Sequence, residues 1–187
     1  VEFVRWPRTF SGTLANLKSM DSQTMTPTID DLILSRLEWL SKPASALLAA
    51  AAVIGRDCGF LRLQQVSGTD EQNSLDALDE LLSTRLIRET RNETRPYIIS
   101  HDRIRETVYT QLSEARREVF HRRALTALTE VNAPSAELAR HAFSAKEWDL
   151  AFQHNLSAGD ESMRLYEVTT AAGHYETARS LLSESKA

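Results

Sequence analysis

Apolar residues recur every three or four positions along most of the chain, and this spacing predicts helices rather than strands. We expect a first helix over 29–40, with Thr28 as its N-cap. Ser41 and Pro43 are suited to the start of a second helix, and Gly55 stands where that helix would end. The chain is therefore predicted to be helical from Thr28 onward.

Two further helices are expected after Gly55. The third covers 60–66 and is closed by Gly68. Thr69 and Gln72 form a capping-box pair, which predicts the start of the fourth. The core-facing side of this fourth helix is predicted to contain Leu75, Leu78 and Leu82.

Strand-like segments occur only around one polar turn. The segments 86–90 and 96–100 flank the turn 91–94, which predicts a β-hairpin. Three helices followed by a two-stranded hairpin is the element order of a winged-helix domain. The helix at 29–40 is expected to pack in front of this unit. The predicted hydrophobic core contains Trp39, Leu47, Leu48, Val53, Leu78, Leu82 and Ile98.

The rest of the chain is predicted to be helical. Ile104, Val108 and Leu112 mark one helix, and Ser113 is expected to cap another that runs to about Val131. From Pro134 onward the sequence pattern is that of paired helices similar to tetratricopeptide (TPR) units. Small residues expected at close helix crossings are Ala151, Ala158, Ala171 and Ala178. Aromatic residues expected to pack against small ones are Trp148, Phe152, Tyr166 and Tyr175.

The predicted fold class is therefore mainly α: a winged-helix domain with one β-hairpin, followed by α-helical TPR-like hairpins. Of the 187 residues, 42% are hydrophobic and 26% are charged, which suits a chain with a buried core. A net charge of −4 provides no overall field that would attract nucleic acid or anionic lipid. Cys58 is the single cysteine, so the chain has no internal disulfide, which suits a cytoplasmic location.

Little in the sequence points to catalysis. A phosphate-binding loop needs Gly-x4-Gly-Lys-Ser/Thr, and no glycine of the chain is followed by lysine. No serine lies in a Gly-x-Ser-x-Gly elbow. The histidines do not form a pair with the spacing of a metal site, so neither a metal site nor enzyme activity is expected. The histidines are His101, His121, His141, His154 and His174.

A winged helix raises the question of DNA binding. In DNA-binding versions the helix before the hairpin enters the major groove, where lysine or arginine neutralises phosphates. Here that helix is expected at 70–82 and contains no lysine or arginine. Its acidic residues are Asp70, Glu71, Asp76, Asp79 and Glu80. Such a helix would be repelled by the duplex, so DNA binding by this segment is not expected.

The sequence "YIISHDRIRETVY" over 97–109 places Ser100, His101 and Asp102 between the hairpin and the next helix. One interpretation is structural: Ser100 caps the helix, and His101 and Asp102 are tolerated in its first turn. The other is functional. A helix N-terminus favours anions, and an imidazole there can donate a hydrogen bond to a phosphate oxygen.

Three segments carry a family resemblance: "TIDDLILSRLEWLSKPASALLAAAAVIG", "SLDALDELLSTRLIRE" and "ISHDRIRETVYTQLSEARREVFHRRALTAL". They resemble the winged-helix and helical-arm region of bacterial STAND-class P-loop ATPases, the signal-transduction ATPases of large LuxR-type transcription regulators. The similarity covers roughly 28–130, with a weaker one over 136–184. It implies that the chain is a piece of a longer protein, with a P-loop ATPase upstream and a repeat sensor downstream.

The resemblance divides the chain into four parts. Residues 1–27 would be a lead-in from the upstream ATPase, 28–112 the winged-helix domain, 113–133 a connector helix, and 134–187 the start of the TPR-like repeats. The implied partners are these upstream and downstream modules of the same chain. The inducer is not specified by the sequence, and no membrane contact is expected.

The resemblance also assigns roles to two residues. In related apoptotic and plant-immune switches, a Met-His-Asp motif at this junction places its histidine against the phosphate of bound ADP. Ser100-His101-Asp102 matches it in the last two positions and has serine where methionine is usual. His101 would then contact the ADP phosphate in the intact protein, and Asp102 would orient the helix start or pair with Arg103 or Arg105. ADP or ATP is implied for the parent protein and no cofactor for this segment.

Three functions follow as hypotheses. The first is a non-catalytic regulatory segment of a STAND ATPase that couples nucleotide state to a downstream sensor. The alternative is a DNA-binding winged-helix regulator with a helical dimerisation domain. A third is a protein-interaction module of repeats that the winged helix merely caps.

Overall fold

A computed structural model describes residues 28–55, 57–94 and 96–184. The predicted lead-in at 1–27 lies outside the described residues. Within them the chain is mainly helical, with three short strands. The helices are α1 (Ile29–Leu37), α2 (Lys42–Ile54), α3 (Phe60–Ser67), α4 (Glu71–Ser83), α5 (Asp102–Gln111), α6 (Glu114–Thr129), α7 (Ser135–Ser144), α8 (Trp148–Arg164) and α9 (Val168–Glu184). The strands are β1 (Asp57–Cys58), β2 (Ile87–Glu89) and β3 (Tyr97–Ile99).

The predicted ends of α2, α3 and α6 are confirmed. The Ser41 hydroxyl accepts a hydrogen bond from the Ala44 amide at 3.2 Å and so caps the start of α2. Gly55 and Gly68 end α2 and α3 with φ of 129° and 72°, a backbone region that favours glycine. Ser113 caps α6 as expected.

The predicted start of α4 is wrong by one residue. Asp70, not Thr69, is the N-cap, and its carboxylate accepts from the Asn73 amide at 3.0 Å. The Thr69 hydroxyl lies 2.6 Å from the hydroxyl of buried Ser74 instead. Both residue types can cap a helix, so the sequence alone does not choose between adjacent candidates.

The buried face of α4 is also displaced from the prediction. Ala77, Leu78 and Leu81 are buried, whereas Leu75 is 42% exposed and Leu82 is only half-buried. Two adjacent stripes of α4 have helical spacing: the predicted one contains Leu75 and Leu82, and the observed one contains Ser74 and Leu81. The hydroxyl contact between Thr69 and Ser74 allows the stripe that contains a serine to face the core, because a buried hydroxyl with a partner costs little.

Trp39 was predicted to be in the core and is 89% exposed, so that prediction is wrong. The cause is the early end of α1 at Leu37, three residues before the predicted end at 40. The Leu40 amide bonds to the Leu37 carbonyl at 3.2 Å, which turns the chain and removes Trp39 from the helical stripe.

The predicted hairpin is present, with Ile87 opposite Ile99 in an antiparallel register. The sequence did not indicate β1, which pairs with the other side of β3 through Asp57 and Ile98. The strand order is thus β1-β3-β2. A two-residue strand has no periodicity of its own, so only its partner reveals it.

Two hydrophobic clusters meet at α6. Ala124 and Ala127 belong to the cluster built on α2, while Leu125 and Leu128 belong to a second cluster with α7, α8 and α9. Successive residues of one helix therefore pack in opposite directions. The helix α6 joins the sheet-containing half of the described chain to its last three helices.

Small residues lie at the contacts of α8 and α9, as predicted. Ala151, Ala158, Ala171 and Ala178 are all buried. The ring of Tyr175 lies against Gly159, where an added Cβ would come within 2.4 Å of the ring. Tyr166, however, is 90% exposed and has a φ of 61°, so the prediction that it packs between helices is wrong.

Three arginines cap helix C-termini from distant parts of the chain. Each guanidinium donates to carbonyl oxygens at the end of a helix other than its own, where positive charge is favoured. The pairs are Arg36 with Thr84, Arg123 with Val66 and Ser67, and Arg140 with Val53 and Ile54.

Among the described residues, no helix combines the length and apolar character needed to cross a bilayer.

Candidate functional site

His101 lies at the boundary between β3 and α5. It is the N-cap residue, with extended φ and ψ of −143° and 139°, and Asp102 is the first helical residue. The prediction had His101 itself in the first turn, so the observed helix begins one residue later. The His101 side chain is exposed and makes no capping hydrogen bond to α5.

Ser100 does not cap α5, contrary to the structural interpretation of the motif. Its hydroxyl donates to the Arg85 carbonyl at 2.7 Å, and its amide donates to the Leu86 carbonyl at 3.0 Å. Both bonds attach the end of β3 to the segment between α4 and β2. Ser100 therefore positions His101 through the backbone.

Asp102 lies beside Arg105, with 4.0 Å between the carboxylate Oδ1 and the guanidinium Nε. Arg103 instead pairs with Glu106, with 3.4 Å between Nη1 and Oε2. Of the two arginines predicted as partners of Asp102, Arg105 is thus the one the structure places near its carboxylate. Both pairs are exposed and contribute little to stability.

His101 borders an open cleft of about 730 Å³ between the end of α4 and the hairpin. Two arginines and one glutamate supply its charges. The cleft is lined by Leu82, Arg85, Ile87, Arg88, Glu89, Ser100 and His101. Arg85 has a φ of 56°, a left-handed conformation that turns the chain at this rim. An imidazole, two guanidinium groups and a helix N-terminus form a setting suited to an anion.

A second polar cluster lies buried between α5, α6 and α7. The Nδ1 atoms of His121 and His141 are 3.0 Å apart. The Nε2 of His121 is 3.0 Å from the Tyr109 hydroxyl, and the Nε2 of His141 is 2.7 Å from a guanidinium nitrogen of Arg140. Both imidazoles are at most 1% exposed. We call these four residues the His121–His141 chain.

The surroundings keep both imidazoles neutral. Burial lowers the pKa of His121 to about 4, with smaller effects of the Arg140 and Arg117 charges. Burial likewise lowers the pKa of His141 to about 3, helped by Arg140 and by His121. Both values lie below the ordinary 6.5 because a charged imidazole loses water and meets positive neighbours.

The sequence did not indicate the His121–His141 chain. These two histidines stand twenty positions apart on different helices. A weak signal exists: each lies in the apolar stripe of its helix, beside Ala124 and Leu125 in α6 and beside Leu138 and Ala142 in α7. A histidine inside an apolar stripe requires a polar partner, but nothing in the sequence identifies that partner.

The other two histidines lie elsewhere. The Nδ1 of His174 is 3.0 Å from the Asn155 amide oxygen, and partial burial lowers the pKa of His154. Across the described ranges no group of three or more His, Cys, Asp or Glu side chains is arranged to hold a metal ion. No family model, no curated protein and no solved structure matches the chain.

Proposed function

We propose that the chain is a non-catalytic regulatory segment of a STAND-type signal-transduction ATPase, a winged helix followed by TPR-like repeats. It would couple the nucleotide state of an upstream P-loop module to recognition by downstream repeats. The supporting element order is α2, α3, α4 and the β2–β3 hairpin, followed by antiparallel helices with close Ala contacts. The setting of such a regulator is the cytoplasm.

The observation that carries this proposal is the exposed imidazole of His101 at the start of α5, beside a cleft with Arg85 and Arg88. A phosphate in this cleft would accept a hydrogen bond from the imidazole and meet two cations. Asp102 has Arg105 beside its carboxylate, which offsets the negative charge that would otherwise repel a phosphate.

The mechanism is a two-state switch. His101, with Arg85 and Arg88 beside it, would hold a phosphate of ADP bound to the upstream module, and this contact would favour the closed state. If exchange to ATP removed the contact, α5 with the following helices would be free to rotate. A nucleotide can shift this equilibrium only through its different affinity for the two states, so removing His101 must change both ADP retention and the resting state.

The test is the ADP content of the full-length parent protein, measured after purification without added nucleotide. The variants are His101→Ala and, as a matched control, His154→Ala, which removes a partly exposed histidine on α8. We expect the parent and His154→Ala to retain ADP and His101→Ala to lose it or to signal without inducer. Equal ADP retention and equal inducer response in all three would show that His101 only begins a helix.

The alternative, a DNA-binding winged helix, is disfavoured by the charge of α4. The four acidic residues of α4 and its N-cap Asp70 are exposed or half-buried, and the helix has no basic residue. A gel-shift assay with random-sequence duplex at low and moderate salt discriminates the two. A salt-dependent shift at low protein concentration would support the DNA-binding alternative over the proposed function.

A further inference from the structure

The His121–His141 chain connects three helices and the end of a fourth. Tyr109 belongs to α5, His121 to α6, and Arg140 with His141 to α7. Arg140 also donates to the Val53 and Ile54 carbonyls at the end of α2. The His121–His141 chain thus attaches α7 to the first hydrophobic cluster, in addition to the exposed ion pairs of Arg122 with Glu147 and of Lys146 with Glu114.

Arg140 determines the direction of every hydrogen bond in the His121–His141 chain. A guanidinium has no acceptor, so the Nε2 of His141 must accept from Arg140. A neutral His141 then has its proton on Nδ1 and donates to the Nδ1 of His121. His121 in turn has its proton on Nε2 and donates to the Tyr109 oxygen. Each of the three side-chain contacts thus contains one hydrogen, donated in turn by Arg140, His141 and His121.

A further proton has no position in this line. If His121 becomes protonated, its Nδ1 becomes a donor and faces the donating Nδ1 of His141. If His141 becomes protonated, its Nε2 becomes a donor and faces the donating guanidinium of Arg140. A change of tautomer in His141 only moves the conflict to its contact with Arg140, which cannot lose its proton. While these contacts remain, an added proton on the buried pair therefore costs one of the hydrogen bonds.

We propose that the His121–His141 chain is a pH-sensitive latch, which holds α7 against α5, α6 and the end of α2 when both imidazoles are neutral and releases α7 when they become protonated. The latch does not depend on the proposed nucleotide function. It predicts a local opening of α7 and the helices that follow it, at mildly acidic pH, while the α2–α4 core stays folded.

Positive charges dominate the surroundings of the pair, so protonation finds no compensating partner. From α5, Tyr109 and Arg105 face the line, and from α7 Arg140 and Glu137 do so. From α6, Arg117 faces His121, and α2 contributes the two backbone carbonyls. Glu137 acts on Arg140 and is the acidic group among these neighbours.

The size of the effect follows from proton linkage. In the released state the imidazoles regain their ordinary pKa near 6.5, whereas in the latched state the values are about 4 and about 3. The released state therefore binds more protons as the pH falls below 6.5. For two independent sites, the opening constant rises about 100-fold between pH 7.5 and pH 5.5.

Hydrogen–deuterium exchange of the chain at pH 7.5 and pH 5.5 tests the latch, with protection factors corrected for the intrinsic exchange rate. We expect α7 protection to fall by up to about 100-fold at pH 5.5 and to lie below the protection of α4, whose amides exchange through global unfolding. Equal protection of α4 and α7 at pH 5.5 would mean that both exchange only when the whole molecule unfolds, and it would overturn the latch. Unchanged α7 protection would overturn it as well.

A double variant, His121→Leu with His141→Leu, removes both titrating groups and retains the buried volume. We expect its α7 protection to be the same at both pH values, while the control His154→Leu keeps the behaviour of the native chain. A double variant with the native pH dependence would overturn the proposal.

NMR of the native chain gives a readout that does not depend on the folding of any variant. The ¹⁵N chemical shifts of the imidazoles report the tautomers. We expect the proton on Nδ1 of His141 and on Nε2 of His121. Another pair of tautomers, or titration of either ring near 6.5 without opening of α7, would refute the latch.

Discussion

Arg140 donates a 2.9 Å hydrogen bond to the carbonyl oxygen of Ile54, which lies 86 residues earlier in the chain. The acceptor is one of the last carbonyls of α2, a helix with nine of its thirteen residues buried. A side chain of α7 therefore completes the hydrogen bonding of the central helix of the first cluster. This contact makes the stability of the first half depend on the second.

Replacing Arg140 by alanine should lower the free energy of unfolding by about 1–2 kcal/mol, because the α2 carbonyls lose a charged donor. Urea unfolding at pH 7.5 measures the change. Arg179→Ala is the matched control, since the ion pair that Arg179 makes within the described part of the chain is with its exposed neighbour Glu176. Equal unfolding midpoints for both variants would show that the hydrogen bonds from Arg140 to α2 do not contribute to the free energy of unfolding.

Two glycines of the last helices should respond in opposite ways to alanine. In Gly159→Ala the new Cβ meets the Tyr175 ring, which must move and weaken its 2.7 Å bond to Asp160, at a cost of about 1–3 kcal/mol. Gly173 has no atom within 4 Å of the new Cβ, so Gly173→Ala should stabilise the helix by up to about 1 kcal/mol. Thermal unfolding of both variants compares them. A shift of the same sign would contradict the packing of α8 on α9.

The buried face of α4 can be tested with two leucines. Leu81 is fully buried, so Leu81→Ala should cost about 2–5 kcal/mol through lost contacts and a cavity. Leu75 is 42% exposed, and Leu75→Ala should cost much less. Denaturant unfolding gives both values. If Leu75 proved the more costly, the helix would face the core with the stripe predicted from the sequence.

Global stability should fall in mild acid. His121 and His141 have lower pKa values in the folded chain, about 4 and about 3, than the ordinary 6.5 that they regain on unfolding. The folded state thus binds fewer protons, and its stability decreases as the pH falls through 6.5. Two such sites lower the unfolding free energy by about 2–3 kcal/mol between pH 7.5 and pH 5.5. Urea unfolding at these two values, with the double leucine variant as reference, measures this decrease.

Most helix boundaries could be predicted from local chemistry. Ser41, Gly55, Gly68 and Ser113 act within one helical turn, and the sequence contains all that they need. Errors occurred where the outcome depends on distant contacts. The strand β1 exists only through β3, and the burial of Leu81 rather than Leu75 depends on which neighbours α4 meets.

In the candidate site, too, the sequence predicts the features set by local residues and misses those that depend on distant contacts. His101 and Asp102 stand at a boundary that the sequence marks clearly, and the structure places them there. Arg85 and Arg88 join His101 at the cleft because the chain reverses between α4 and β3, which a linear motif does not reveal. His121 and His141 meet only when α7 packs on α6, so their partnership is a property of the tertiary structure.

The cap that Arg140 places on α2 also orders events in time during synthesis. Translation proceeds from the N-terminus at about 5–20 residues per second, so Arg140 is made several seconds after Ile54. Until then the end of α2 has no guanidinium donor, although the residues of the helix itself are complete. The hydrogen bonds that Arg140 donates to the end of α2 therefore form only after α7 has left the ribosome.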